Sequence, residues 1–262
     1  MAKRRLKKSV KKLLKRIIFT IFVIIGLVSI CEIIEFNILK NRTLTPKENY
    51  EYGYYTMSDF GYVKEISEYD FNLNGYDDYT DILIGLKKVA EENPKYINGY
   101  YAGGYPPEGE GVCTDVVWKA LMEAGYKLKD MMVYDIRDTY QKGIYDIDYI
   151  DTNIDFRRVE NQQVFFERYA KSLDTDYENL KEFQPGDIVI FNGGEHIAMI
   201  SDRVNAKGIP YLIQNSDEEQ TEKEEDVLEE TDMYISSHYR FEYNDSIKQL
   251  IINTNKTKKG ED

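Results

Sequence analysis

The hydrophobic pattern of this chain changes period as it runs. Residues 17–31, Ile-Ile-Phe-Thr-Ile-Phe-Val-Ile-Ile-Gly-Leu-Val-Ser-Ile-Cys, are almost wholly apolar. Ile33, Ile34 and Phe36 lengthen the run if Glu32 and Glu35 sit at an interface, so the pattern predicts one transmembrane helix over 17–38. Residues 39–69 are polar and tyrosine-rich with weak periodicity, and read as a linker. Apolar residues then recur at helical spacing in three stretches. These are Ile82 to Glu92, closed by Asn93-Pro94; Thr114 to Gly125, with Val116, Val117, Leu121 and Ala124; and Asn161 to Leu173, with Val164, Phe165, Phe166 and Tyr169. From Pro185 the spacing becomes that of strands: Ile188 to Phe191, Ile197 to Ile200 and Tyr211 to Gln214. Turns at Asn192-Gly193-Gly194 and around Lys207-Gly208 separate them, 217–232 is an acidic excursion, and His238 opens a last strand.

Helices followed by an antiparallel meander predict an α+β fold, with N-terminal helices packed on a small antiparallel sheet. The expected organisation is a basic segment over 1–16, the anchor over 17–38, the linker over 39–69, a globular domain over 70–252 and a disordered tail over 253–262.

Charge sharpens this picture. The formal net charge is −13, yet the first 16 residues hold nine Lys or Arg and no acid. So acidic a body repels phosphate backbones, which argues against nucleic-acid binding. The basic block places its own flank in the cytoplasm and the C-terminal domain outside the cell membrane, as a single-pass protein. A cleaved signal peptide competes with the anchor, but Ser29-Ile30-Cys31 is a poor small-x-small site.

Export changes the cysteine arithmetic. With Cys31 at the membrane, Cys113 is the only thiol of the body, and no internal disulfide is available to it. A buried cysteine acting as a small hydrophobe is the bland reading; reactivity is the sharper one. Cys113 stands just before a helical run, where unpaired N–H groups favour a thiolate. His196 opens the strand after the glycine turn and is the candidate base. The next strand offers Gln214 and Asn215 to orient the ring; they point to opposite faces, and Gln214 is preferred with Asn215 in reserve. His238, the other histidine, lacks a glycine turn and reads as structural. Thr114 and Asp115 follow the thiol; Asp115 either caps the helix or meets a substrate amine. Arg157 and Arg158 either clamp substrate carboxylates or pair with nearby acids. The chemistry requires no cofactor.

A second motif lies upstream. Asp70, Asn72, Asn74, Tyr76, Asp78 and Asp81 fall at positions 1, 3, 5, 7, 9 and 12 of a loop with Gly75 at position 6, the spacing of an EF-hand-type calcium loop. Asp81 is shorter than the usual Glu, as in dockerins. An Asx-rich turn capping a helix is the alternative; calcium, if bound, is structural.

Pro-Gly-Asp-Ile-Val-Ile-Phe, His-Ile-Ala-Met-Ile and Leu-Ile-Gln together resemble the strand–His–strand block of the papain-like NlpC/P60 cysteine peptidases. Tyr-Tyr-Ala-Gly-Gly-Tyr-Pro, Gly-Val-Cys-Thr-Asp-Val-Val and Asn-Ile-Asp-Phe-Arg-Arg-Val are more specifically similar to the DUF1287 family. The resemblance spans about residues 80 to 243. It implies a papain-like fold with Cys113 as nucleophile, His196 as base and Gln214 as third residue, where NlpC/P60 proteins often carry His. It also implies hydrolysis of amide bonds in peptidoglycan stem peptides; since these carry free carboxylates, Arg157 and Arg158 are the candidates to read them, and Tyr101 and Tyr105 to wall the cleft. A non-catalytic wall-binding protein with a degenerate site is the competing function, and acyl transfer the competing chemistry.

Overall fold

The computed structural model describes residues 55–176, 179–229 and 232–260. Among the described residues no helix is long and apolar enough to cross a membrane, so the expected transmembrane helix finds no support there. The basic segment 1–16 and the segment 17–38 lie outside the described residues.

Among the described residues, five α-helices and two sheets make up the body. Helix α1 (Asp78–Glu92) starts where the Asp77 side chain accepts from the N–H groups of Tyr79 and Thr80, and it stops at Asn93, left-handed at φ 43°, before Pro94. Helix α2 (Cys113–Glu123) crosses it closely: a Cβ on Gly85 would lie 2.8 Å from the Ala120 Cα, so only glycine fits there. Helices α3 (Leu128–Thr139) and α4 (Val159–Tyr169) complete the layer, together with α5 (Asp245–Lys259).

The sheet is antiparallel throughout. Its spatial order is β4 (Lys171–Ser172), β9 (Ile235–Arg240), β5 (Ile188–Phe191), β6 (His196–Val204), β7 (Pro210–Ile213) and β8 (Glu224–Glu225), while β1 (Tyr55–Thr56) pairs with the far end of β6. A separate parallel pair, β2 (Lys95–Tyr96) and β3 (Glu110–Gly111), leads into α2. Helices against one face of an antiparallel sheet make this a mixed α/β body, in which β9 inserts between β4 and β5.

Both faces of the central strands are buried, which explains their unbroken apolar runs. Ile188, Ile190, Ile197, Met199 and Ile213 pack against Val116, Val117 and Leu121 of α2. Val189, Phe191, Ala198, Ile200 and Leu212 pack on the other side with Met57, Phe183 and Leu228.

Two boundaries move. Residues 55–69 belong to the body rather than to a linker: Met57 is buried, and the Glu65 N–H donates to Gln184 Oε1 at 3.0 Å. Nor is 253–262 wholly a tail. Helix α5 runs to Lys259, capped by the Asn244 side chain at its start, with Ile247, Leu250 and Thr254 buried.

Candidate functional site

The thiol is positioned by the chain that precedes it. The Asn215 Nδ2 donates to the Gly111 carbonyl at 2.9 Å, and Ile97 N donates to the same carbonyl at 3.0 Å. Val112 N donates to Asp115 Oδ2 at 2.8 Å, so Asp115 caps the helix that opens with Cys113. That carboxylate is fully occupied. Arg157 grips it with Nε at 2.8 Å and Nη2 at 2.7 Å, and Trp118 Nε1 donates to it at 2.7 Å. Arg157 Nη1 donates to the Gly99 carbonyl at 2.7 Å, and the guanidinium lies 5.1 Å from the Tyr101 ring centroid.

Both Asp115 and Arg157 are buried. Neither is therefore free to meet substrate: of the two readings open for each, the structure shows the helix cap for Asp115 and the ion pair for Arg157. Thr114 is likewise buried, its hydroxyl donating to the Arg157 carbonyl at 3.0 Å. Arg158, by contrast, is exposed. Tyr101 is half-buried and donates to Glu110 at 2.7 Å; exposed Tyr105 tilts on Trp118, with ring centroids 4.8 Å apart.

The Cys113 sulfur rests where the Ile197 backbone, immediately after His196, hydrogen-bonds to it. Burial pushes this thiol up to about 11, outweighing the backbone hydrogen bonds from Ile197 and from the helix start that pull it down. The resting group is a thiol. The thiolate expected from the helix N-terminus is corrected accordingly: desolvation exceeds what a helix end contributes. Tyr96 of β2 also flanks the sulfur, and burial followed by that neighbour pushes its hydroxyl up. Nothing in the local sequence around Tyr96 signals this, because β2 has only two residues.

His196 is buried, and burial holds its imidazole below the ordinary value, against the opposing pull of Gln214 and Asp217. Its Nε2 meets Gln214 Oε1 at 2.8 Å. The structure thus places Gln214 on the ring and Asn215 on the Gly111 carbonyl, resolving the choice between them by strand alternation. The same alternation puts His196 on the face of Ala198 and Ile200, where it stacks on Phe191 at 5.9 Å, while the thiol packs on the face of Ile197. His196 is the first residue of β6, reached through a turn in which Asn192, Gly193 and Gly194 all have positive φ. Among the described residues, no hydrogen bond joins the ring to the sulfur, and Nδ1 carries none.

The other histidine is structural. His238 is buried between the Asp174 carbonyl (2.7 Å) and Asp187 (3.0 Å), and Arg240 holds the same Asp187 with Nε at 2.7 Å and Nη2 at 2.8 Å.

The 70–81 loop is closed by its own donors. Asp70 accepts from the N–H groups of Asn74 and Gly75, and Asn74 Oδ1 accepts from Tyr76 N. Asp81 is held by the amides of Asn72 (2.8 Å) and Asn74 (2.9 Å), and Asp78 by Phe71 N and the Tyr126 hydroxyl. Burial pushes the carboxyls of Asp78 and Asp81 up. Among the described residues, no group of three or more His, Cys, Asp or Glu is placed to hold a metal ion.

The family described as "Domain of unknown function (DUF1287)" matches residues 85–241. The uncharacterized protein YijF of Escherichia coli (strain K12) is 35% identical over 156 residues, covering 57% of this chain and 73% of its own length. No solved structure matches. The chain belongs to the DUF1287 family.

Proposed function

We propose that this DUF1287 protein is an exported cysteine hydrolase of the papain-like NlpC/P60 kind, cutting amide bonds in peptidoglycan stem peptides. One arrangement carries the reading. A thiol at the first residue of a buried helix lies against the strand that His196 opens, and Gln214 holds the far nitrogen of that histidine. A lone exported thiol with such neighbours is better suited to attack than to packing.

In the proposed reaction both groups start neutral. The ring must first leave Phe191 for the thiol's side of the strand, where Nδ1 takes the Cys113 proton as the sulfur attacks the carbonyl carbon. The N–H groups of the α2 start are aimed at the oxyanion. The imidazolium returns its proton to the leaving amine, and water then cleaves the thioester. Exposed Arg158 and Tyr105 remain available to contact substrate.

A second reading has its own observation: the thiol is pushed up and unbonded to the ring, as suits a wall-binding protein that retains the frame without catalysis. Digestion of purified muropeptides with the wild type, Cys113→Ala and His196→Ala, followed by mass spectrometry, separates the two. Amide cleavage by the wild type alone is the expected result. Intact substrate with retained binding would favour the binder, and equal cleavage by all three would remove Cys113 from the chemistry.

A further inference from the structure

The hydrogen bonds continue beyond Gln214. Its Nε2 donates to Glu225 Oε2 at 3.2 Å, and Gln220 Nε2 donates to the same oxygen at 2.6 Å. Glu225 is held in place by its strand. In β8, Leu212 faces Glu225 and Ile213 faces Glu224, and Gln214 N closes the ladder on the Lys223 carbonyl at 2.9 Å. Glu224 points the other way, to Lys87 at 2.5 Å and Arg203 at 3.0 Å, which pins the strand from the opposite side.

We infer that Glu225 is the positioning residue that fixes which nitrogen of His196 bears the proton. An amide has one donating and one accepting end, and an ionised carboxylate only accepts. Glu225 therefore takes the NH2 end of Gln214 and leaves Oε1 to face the ring, as observed. A carbonyl oxygen accepts only from an N–H, so His196 must carry its proton on Nε2. Nδ1 then keeps its lone pair, as proton abstraction from Cys113 demands. Turn the amide over, and its NH2 end requires a bare Nε2; the proton moves to Nδ1 and the ring can no longer accept one there. The step from Glu225 to catalysis rests on the proposed hydrolase reading, whereas the step from Glu225 to the ring does not.

The test uses nitrogen-15 NMR of the imidazoles in the whole chain near neutral pH. There are two histidines, so His196→Gln assigns the spectrum. The wild type is expected as the Nε2–H form. Glu225→Ala frees the amide and should give a mixture. Glu225→Lys replaces an acceptor with a donor, draws Oε1 away from the ring and should drive the ring to Nδ1–H. Glu225→Gln, whose carbonyl still accepts, should keep the wild-type form. Muropeptide cleavage should fall roughly tenfold or more in the alanine variant, further in the lysine variant, and recover in the glutamine variant.

A wild-type ring in the Nδ1–H form would overturn the inference, whether or not any variant folds. So would an unchanged Nε2–H ring in both the alanine and lysine variants. Because the NMR reading needs no turnover, a shifted tautomer without cleavage would leave the inference standing and sink the hydrolase instead.

Discussion

Alkylation of Cys113 by iodoacetamide, followed across pH by mass-mapping its peptide apart from that of Cys31, tests the electrostatics of the site directly. Burial pushes the thiol up to about 11 from an ordinary 9.0. At neutral pH the thiolate fraction is then lower by about a hundredfold than for an ordinary thiol. A more basic thiolate is intrinsically more nucleophilic, with a Brønsted slope of about 0.4–0.5, which returns roughly six- to tenfold. The net expectation is a reaction slower than that of a small reference thiol by roughly ten- to fifteenfold, before any loss from access. The pH profile is independent of access, which enters as a constant factor. The rate should climb about tenfold per pH unit from neutrality upward, with no plateau until about pH 10 or beyond. His196→Gln should leave that slope unchanged, since a ring held neutral by burial donates no charge. A plateau already reached near pH 6, lost in His196→Gln, would refute the reasoning and show a resting ion pair.

Other consequences are as accessible. Arg157→Ala strands the buried Asp115 carboxylate, a loss of about 3–5 kcal/mol that should lower the melting temperature by on the order of 10 °C; Arg157→Lys should recover little, because a point charge cannot grip both oxygens, and an unchanged melt would refute the pairing. The folded-state value of His196 lies below its unfolded one, so the unfolded chain binds the extra proton; stability is complete above about pH 6.5 and falls on acidification below it. In denaturant titrations His196→Gln should be less acid-sensitive than the wild type, and parallel curves would count against the burial argument. Truncation after Asn244 removes buried Ile247 and Leu250 and should cost roughly 3–6 kcal/mol, read as a shifted denaturation midpoint.

What the sequence disclosed was local. The helix after Cys113, the strands at Ile188 and His196 and the glycine turn between them are each specified within a dozen residues. Pairings across the chain were not legible. Nothing near Arg157 announces Asp115, 42 positions earlier, as its partner, and both residue types also suit a binding site. Helix α3 carries Leu128, Met131, Met132 and Ile136 on one face but has charged residues between them that blur the period, and the Thr, Asn and Lys content of α5 hides its helix. A helix terminus is visible in sequence, whereas the burial that desolvates the sulfur is set by tertiary packing that no local pattern shows. Glu225 was hidden in an acidic stretch where no single carboxylate stands out.

The sheet ends in short, charged margins: Lys171–Ser172 on one side and Glu224–Glu225 on the other. Two-residue borders of this kind present almost no open backbone ladder for a neighbouring molecule to extend. A domain so finished can be crowded to high local density and still resist zipping into fibrils, however β-rich its interior.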